Sequence, residues 1–277
     1  MHLRSLLQGT PRPLVMGVLN VTPDSFSDGG RFVSREAALN AVADMVEAGV
    51  DIVDIGGEST RPGAEPVPEA VERERVLPVV EAVAGRFDVA ISLDTSTPSI
   101  MRDGVAMGAS LINDVRALSR PGALQAAAAT EAMVCLMHMQ GEPGTMQEAP
   151  AYGNVVSEVR AFLAKAADRA MEAGVARDRL ILDPGFGFGK TGEHNLALLR
   201  QLKAVDVEGL PLLVGLSRKR LIGELTGRPV GQRLAGSLAL ALVAVQRGAR
   251  IVRVHDVPET VDALRIWQAI SEDEREG

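Results

Sequence analysis

At 277 residues the chain is close to the ~250 residues of one α/β barrel, but that length accommodates two ordinary domains equally well. Hydrophobic residues make up 46% and charged residues 23%, which excludes a largely disordered chain and supplies apolar material for a large core. A formal net charge of −7 argues against a broad nucleic-acid surface while leaving room for a local basic pocket that takes a small anion.

In chain order, Met1 to Pro13 contains no long apolar segment. No later stretch offers ~18 uninterrupted apolar residues, so neither export nor membrane spanning is expected and the chain reads as cytoplasmic. Short runs rich in Val, Ile and Leu then alternate with helical periods. The strand candidates are Leu14 to Asn20, Asp51 to Ile55, Val89 to Leu93, Ser110 to Asn113, Ala132 to Met137, Leu180 to Asp183, Pro211 to Gly215 and Arg250 to Val254. Between them Leu39, Val42, Val46 and Val50 recur at helical spacing, as do Val155, Val159, Phe162, Ala166 and Ala170, the mark of amphipathic helices. A last helix over Val261 to Ile270, after Pro258, carries Trp267 as a core or interface residue, and Ser271 to Gly277 is a polar tail. The single cysteine, Cys135, lies inside an apolar run, where a buried thiol is expected and no intrachain disulfide can form.

Continuous apolar strands point to a parallel sheet covered on both faces. An open doubly wound sheet has the same signature, but eight strand–helix repeats favour a closed (β/α)₈ TIM barrel: one domain over 1–277, with its core at about 14–270. In such barrels the site gathers at the carboxyl ends of the strands. Here those positions hold Asn20, Glu58-Ser59-Thr60-Arg61, Asp94, Asn113, His138, Asp183, Ser217 with Lys219, and Arg253 with His255. Asn and Asp end strands for local reasons too; it is their number, and the cations among them, that suit an anion joined to a hydrogen-bonding heterocycle.

The glycine-rich run from Asp183 to Thr191 fails both nucleotide signatures, with Pro184 where a P-loop needs its first Gly and Lys190 where a dinucleotide fingerprint needs its last. It reads instead as a loop that approaches a flat ligand, with Phe188 as a stacking face and Phe186 structural. Lys190 and His194 read as solvated surface, and His138 as either a satisfied structural histidine or a ligand contact. No zinc spacing and no hydrolase elbow occur. Mg²⁺ needs only one or two protein oxygens beside substrate phosphates, and Asn20 would suffice.

The segments Gly17 to Gly30 (GVLNVTPDSFSDGG), Asp54 to Gly63 (DIGGESTRPG), Leu93-Asp94-Thr95, Ile112-Asn113-Asp114, Leu136 to Gly141, Asp183 to Lys190, Ser217-Arg218-Lys219 and Arg253 to Asp256 together resemble the dihydropteroate synthase family, in family order over essentially the whole chain. The resemblance implies condensation of 6-hydroxymethyl-7,8-dihydropterin diphosphate with p-aminobenzoate, giving 7,8-dihydropteroate and pyrophosphate in folate synthesis, with inhibition by sulfonamides. It assigns the chemistry to Asp94, Lys219, Arg253, His255, Asp24 and Arg61. It assigns the pterin to Asp94, Asn113, Val115, Met137, Asp183, Phe188, Gly215, Lys219 and Arg253, and the diphosphate to Asn20, Thr60, Arg61, Arg253 and His255. The arylamine would meet Phe26, Thr60, Pro62, Phe188 and Arg220, the last standing where many members have Ser. It also implies Mg²⁺ at Asn20 and a homodimer; the helical surface near Trp267 is the interface expected from the sequence. Two other readings are a methyltetrahydrofolate-type methyltransferase barrel, which does not call for the two long loop signatures, and a noncatalytic pterin-binding paralogue.

Overall fold

A computed structural model describes residues 3–21, 31–59, 66–142 and 144–272. Eight parallel strands close into a barrel in sequence order: β1 Leu14–Asn20, β2 Ile52–Gly56, β3 Ala90–Asp94, β4 Leu111–Asp114, β5 Met133–Met137, β6 Leu180–Asp183, β7 Leu212–Val214 and β8 Ala249–Val254. Around them run α2 (Arg31–Ala48), α3 (Glu69–Arg86), α4 (Pro98–Ala106), α5 (Ala123–Ala128), α6 (Val155–Glu172), α7 (Gly192–Arg200), α8 (Arg220–Thr226), α9 (Leu234–Gln246) and α10 (Val257–Glu272). An additional short helix, α1 (Leu3–Gly9), precedes β1.

The strands expected from the sequence agree with the observed ones to within a residue at either end, β7 being shorter by one residue at each. The last helix begins at Val257, four residues earlier than expected. Pro258 lies in its first turn, where a missing N–H costs no helical hydrogen bond.

Side chains alternate across each strand, and this period divides the protein into layers. Val15, Val53, Ile91 and Val252 face outward and pack with Val42, Val80 and Val261 of the helices. Leu14, Met16, Ile52, Ala90, Leu111, Met133, Cys135, Ile181, Leu213 and Ile251 form the buried inner layer, joined by Leu3 of α1. Leu3 is 1% exposed, and burying such a leucine is worth ~1.5–3 kcal/mol, so α1 acts as a plug at the amino-terminal end.

Two residues further along the same inward-facing rows the chemistry changes. Asp54 follows Ile52, Ser92 follows Ala90, Asn113 follows Leu111, Asp183 follows Ile181 and Arg253 follows Ile251. The register places Asp54 beside Ser92 and Asp94 beside both Gly56 and Asn113, so these groups form one polar layer at the carboxyl end.

Candidate active site

At the centre of that layer is an ion-paired arginine. Arg253 on β8 donates from Nε to Asp54 Oδ2 at 2.6 Å and from Nη2 to Asp94 Oδ2 at 2.9 Å. Asp54 is fully buried and also accepts from Ser92 Oγ at 2.6 Å and, more weakly, from Asn113 Nδ2 at 3.4 Å. Burying a carboxylate is costly unless it is paired and hydrogen-bonded, and Asp54 is both. Gly56 lies close against Asp94: a Cβ there would stand 3.2 Å from Asp94 Cβ, a tight approach.

Asp94 is the less protected carboxylate. Burial, then the charge of Asp54, pushes it up to about 7 against the opposing pull of Arg253. Arg253, held by two carboxylates, is driven above the usual arginine range despite its burial. The triad therefore stores one readily titrated proton beside a permanent cation.

Across the mouth Asp183 is buried and accepts the Gly185 N–H at 2.7 Å. Burial raises its carboxyl, with Lys219 acting the other way. Lys219 donates to the Phe186 carbonyl, and its Nζ stands 4.8 Å from the centroid of the Phe188 ring. Burial lowers the Lys219 ammonium to about 8, although Asp183 opposes this. Lys219 is aimed by its neighbour: Arg218 takes the left-handed φ of 58°, a conformation costly for a residue with a Cβ. Arg218 is held there by its N–H to Ser237 Oγ at 3.0 Å and by an ion pair to Asp256.

The other expected residues of the described chain border the same mouth. His255 Nδ1 is 3.1 Å from Ser217 Oγ, which also accepts the His255 backbone N–H. Asn20 ends β1, half-buried, while Asn113, Val115 and Met137 are buried at the ends of β4 and β5. A Cβ on Gly215 would lie 3.7 Å from Arg253 Cβ and 3.8 Å from Lys219 Nζ, so its bareness keeps that wall open. Arg220 is exposed and pairs with Glu224 at 2.7 Å, on the rim of a cavity of about 290 Å³ that Lys219, Gly187 and Asn195 also line. Asp24, Phe26, Thr60, Arg61 and Pro62 lie outside the described residues.

Two residues depart from the sequence reading. Lys190 is not solvated: it is 3% exposed, and its Nζ contacts His138 Nδ1 at 2.9 Å, Gly185 O at 2.8 Å and Phe188 O at 3.0 Å. His194 is half-buried rather than surface. It closes a capping box with Thr191 at the start of α7 and sets its ring edge-on to Tyr152. His138 is buried, and burial followed by the Lys190 charge lowers it to about 3, so it is neutral. Phe186 is fully buried in the core. Asp54 opens one of the segments that carry the family resemblance but was given no role in the site, because it sits inside an apolar run instead of beyond its end.

A larger cavity, about 680 Å³, opens at the opposite end of the barrel among Arg4, Arg177, Lys203, Arg247 and Arg250. Its arginines serve the structure there. Arg4 pairs with Asp178 and Arg177 with Glu208, and Arg250 donates to the carbonyls of Leu7, Thr10 and Arg12, tying α1 to β8. Size alone does not locate the chemistry.

The family of pterin binding enzymes matches residues 16–255. The chain is 54% identical over 257 residues to the dihydropteroate synthase of Escherichia coli strain K12, covering 93% of this chain and 91% of that protein. It superposes with a TM-score of 0.90 on a Yersinia pestis dihydropteroate synthase in complex with a sulfonamide drug, at 51% identity over 94% of this chain and 95% of that one. A Burkholderia cenocepacia dihydropteroate synthase complexed with 7,8-dihydropteroate gives a TM-score of 0.89 at 47% identity, over 97% and 95% of the two chains. With its eight-stranded barrel, its carboxyl-end polar layer and this degree of identity over nearly its whole length, the chain belongs to the pterin-binding enzymes and, among them, to the dihydropteroate synthase family.

Proposed function

We infer that this chain is a transferase that condenses 6-hydroxymethyl-7,8-dihydropterin diphosphate with p-aminobenzoate, releasing pyrophosphate and 7,8-dihydropteroate. The observation that carries the reading is the Asp54–Arg253–Asp94 triad facing Asp183 and Lys219 across one mouth. A pterin presents adjacent N–H donors on one edge and a ring carbonyl beside them. A buried carboxylate accepts such donors in pairs, and an ammonium donates to the carbonyl; Asp183 and Lys219 supply these two groups. Asn113 adds a donor and an acceptor, Val115, Met137 and Gly215 provide apolar walls, and Phe188 a flat one.

The reaction must stabilise a leaving diphosphate and a growing positive charge at once. Arg253 and His255 face the anion, with Arg61, Thr60 and Asn20 completing its site. Asp94, once ionised, faces the cation that forms as the C–O bond to the diphosphate breaks. The arylamine nitrogen then attacks that carbon and gives up its proton. By the family resemblance Asp24, Phe26, Thr60, Arg61 and Pro62 help to exclude water, which would otherwise capture the cation. Arg220 meets the arylamine carboxylate at the rim.

Mg²⁺ fits this donor set as a substrate-borne ion. Among the described residues no three His, Cys, Asp or Glu side chains are grouped to hold a metal, whereas Mg²⁺ retains waters and needs only one or two protein oxygens beside phosphates. Asn20 would contribute one oxygen, and the ion would neutralise charge on the leaving group. We further place the chain in the cytoplasm, as a homodimer through α10. No described helix is long and apolar enough to cross a membrane, and α10 leaves Ile266 and Ile270 each 66% exposed beside the half-buried Trp267.

The test is pyrophosphate release by purified protein given the pterin diphosphate and Mg²⁺, with and without p-aminobenzoate, and mass identification of the product. Release that depends on the arylamine and yields dihydropteroate is expected. Pterin binding without turnover would identify a noncatalytic binding protein instead.

A further inference from the structure

The loop after β6 has no regular structure, yet five consecutive carbonyls of it each accept a hydrogen bond from a side chain. Gly185 O and Phe188 O accept from Lys190, Phe186 O from Lys219, Gly187 O from Gln147 and Gly189 O from the Tyr152 hydroxyl. Lys190 is the only one of these donors that holds two of the carbonyls, and it is buried. An ammonium carries three N–H donors and no acceptor; its three partners here are two carbonyls and His138 Nδ1, so each donor has an acceptor.

His138 is a fixed post for this clamp. Its backbone N–H extends the β5–β6 ladder by donating to Asp183 O at 2.9 Å, and its ring lies edge-on to Phe162 with centroids 4.9 Å apart. The loop runs hard against the same strand end: a Cβ on Gly185, whose φ is +67°, would meet His138 O at 1.8 Å. The backbone between these anchors bears three groups that reach the mouth. Gly185 N–H donates to the Asp183 carboxylate, Phe186 O accepts from Lys219, and the Phe188 ring faces Lys219 Nζ.

We propose that Lys190 is a positioning residue for the pterin site: it locks the 185–189 loop to His138 and thereby sets how Asp183, Lys219 and Phe188 are presented to the substrate. The proposal rests on the synthase reading of the mouth. Removing the ammonium takes from the Phe188 carbonyl and the His138 ring nitrogen the partner they have in Lys190 and leaves the Gly185 carbonyl with the Phe188 N–H alone, and buried polar groups that lose a partner are costly. The loop then relaxes while the catalytic triad on β2, β3 and β8 keeps its contacts.

Lys190→Met separates this from a general structural role. Steady-state kinetics of wild type and variant would be combined with hydrogen exchange of the 184–190 backbone. The expected result is a rise of roughly tenfold in the KM for the pterin diphosphate, kcat within about threefold of wild type, and faster exchange confined to the loop. Unchanged KM and unchanged exchange would overturn the proposal, as would a collapse of kcat at constant KM, which would put Lys190 in the chemistry. Wild-type turnover is the control that keeps a failure of the synthase reading distinct. If the variant does not fold, the wild-type protein still decides: a protected Lys190 ammonium in the ¹⁵N–¹H spectrum, correlated with His138 protonated on Nε2, is expected. A freely exchanging ammonium would contradict the clamp.

Discussion

The two ends of this barrel are built from the same strands and do opposite things. At the amino-terminal end the inward residues are Ile52, Ala90, Leu111, Ile181 and Ile251, closed by Leu3, and the nearby arginines hold backbone carbonyls and surface carboxylates. Two residues on, the inward positions are Asp54, Ser92, Asn113, Asp183 and Arg253. One period of the pleat thus separates a dry core from a site with titratable groups. Stability and chemistry are divided along the strand axis, so substitutions at the two ends should separate in their effects.

The largest expected break is Asp94→Asn, which keeps the shape and removes the charge that faces the developing cation. Loss of such transition-state stabilisation costs about 10²–10³ in rate, read in kcat with folding unaffected. The pH profile sharpens the same point. Asp94 is raised to about 7 by burial and by Asp54, so its ionised form, and kcat/KM with it, should grow as pH rises through about 7. Lys219 is lowered to about 8 by burial, so kcat/KM should fall as its proton is lost above that. The result is a narrow bell, and Asp94→Asn should abolish its acid limb.

A smaller effect is expected from Asp54→Asn. It removes the second cause of the raised Asp94 value, so the acid limb should move to lower pH while Arg253 keeps its bond to Asp94. A limb that stays in place would show that Asp54 does not set the Asp94 proton. At the other end, Arg250→Ala should cost about 1–3 kcal/mol of stability by releasing α1, measured by denaturant unfolding, with kcat/KM unchanged. The mildest change is Arg220→Ala, an exposed rim residue, for which a rise of a few-fold in arylamine KM and unaltered pterin binding are expected.

Much of this plan was legible in the sequence. The strands could be placed because a buried parallel sheet writes itself as apolar runs, and the residues beyond each run could be read as the mouth. Asp54 escaped because it lies within such a run. Counting by two from Ile52 toward Gly56 would have found it, since the pleat puts all three on one face. Lys190 escaped for a different reason. A glycine-rich loop suggests exposure, and what buries this lysine is His138, 52 residues earlier, a contact that no local pattern records. The helix α1 was invisible for similar reasons: its seven residues carry too little periodicity, and only the barrel end gives Leu3 a place to go.

The claim that the carboxyl-end polar layer is a pterin site can be tested most directly by calorimetric titration of the dihydropterin diphosphate into three proteins: wild type, Asp183→Asn and Arg250→Ala. The account predicts equal affinity for wild type and Arg250→Ala, and a loss of about 100-fold for Asp183→Asn, the scale of a paired charge-assisted contact. Wild-type affinity in Asp183→Asn, or a loss confined to Arg250→Ala, would contradict the account by placing the ligand away from this mouth.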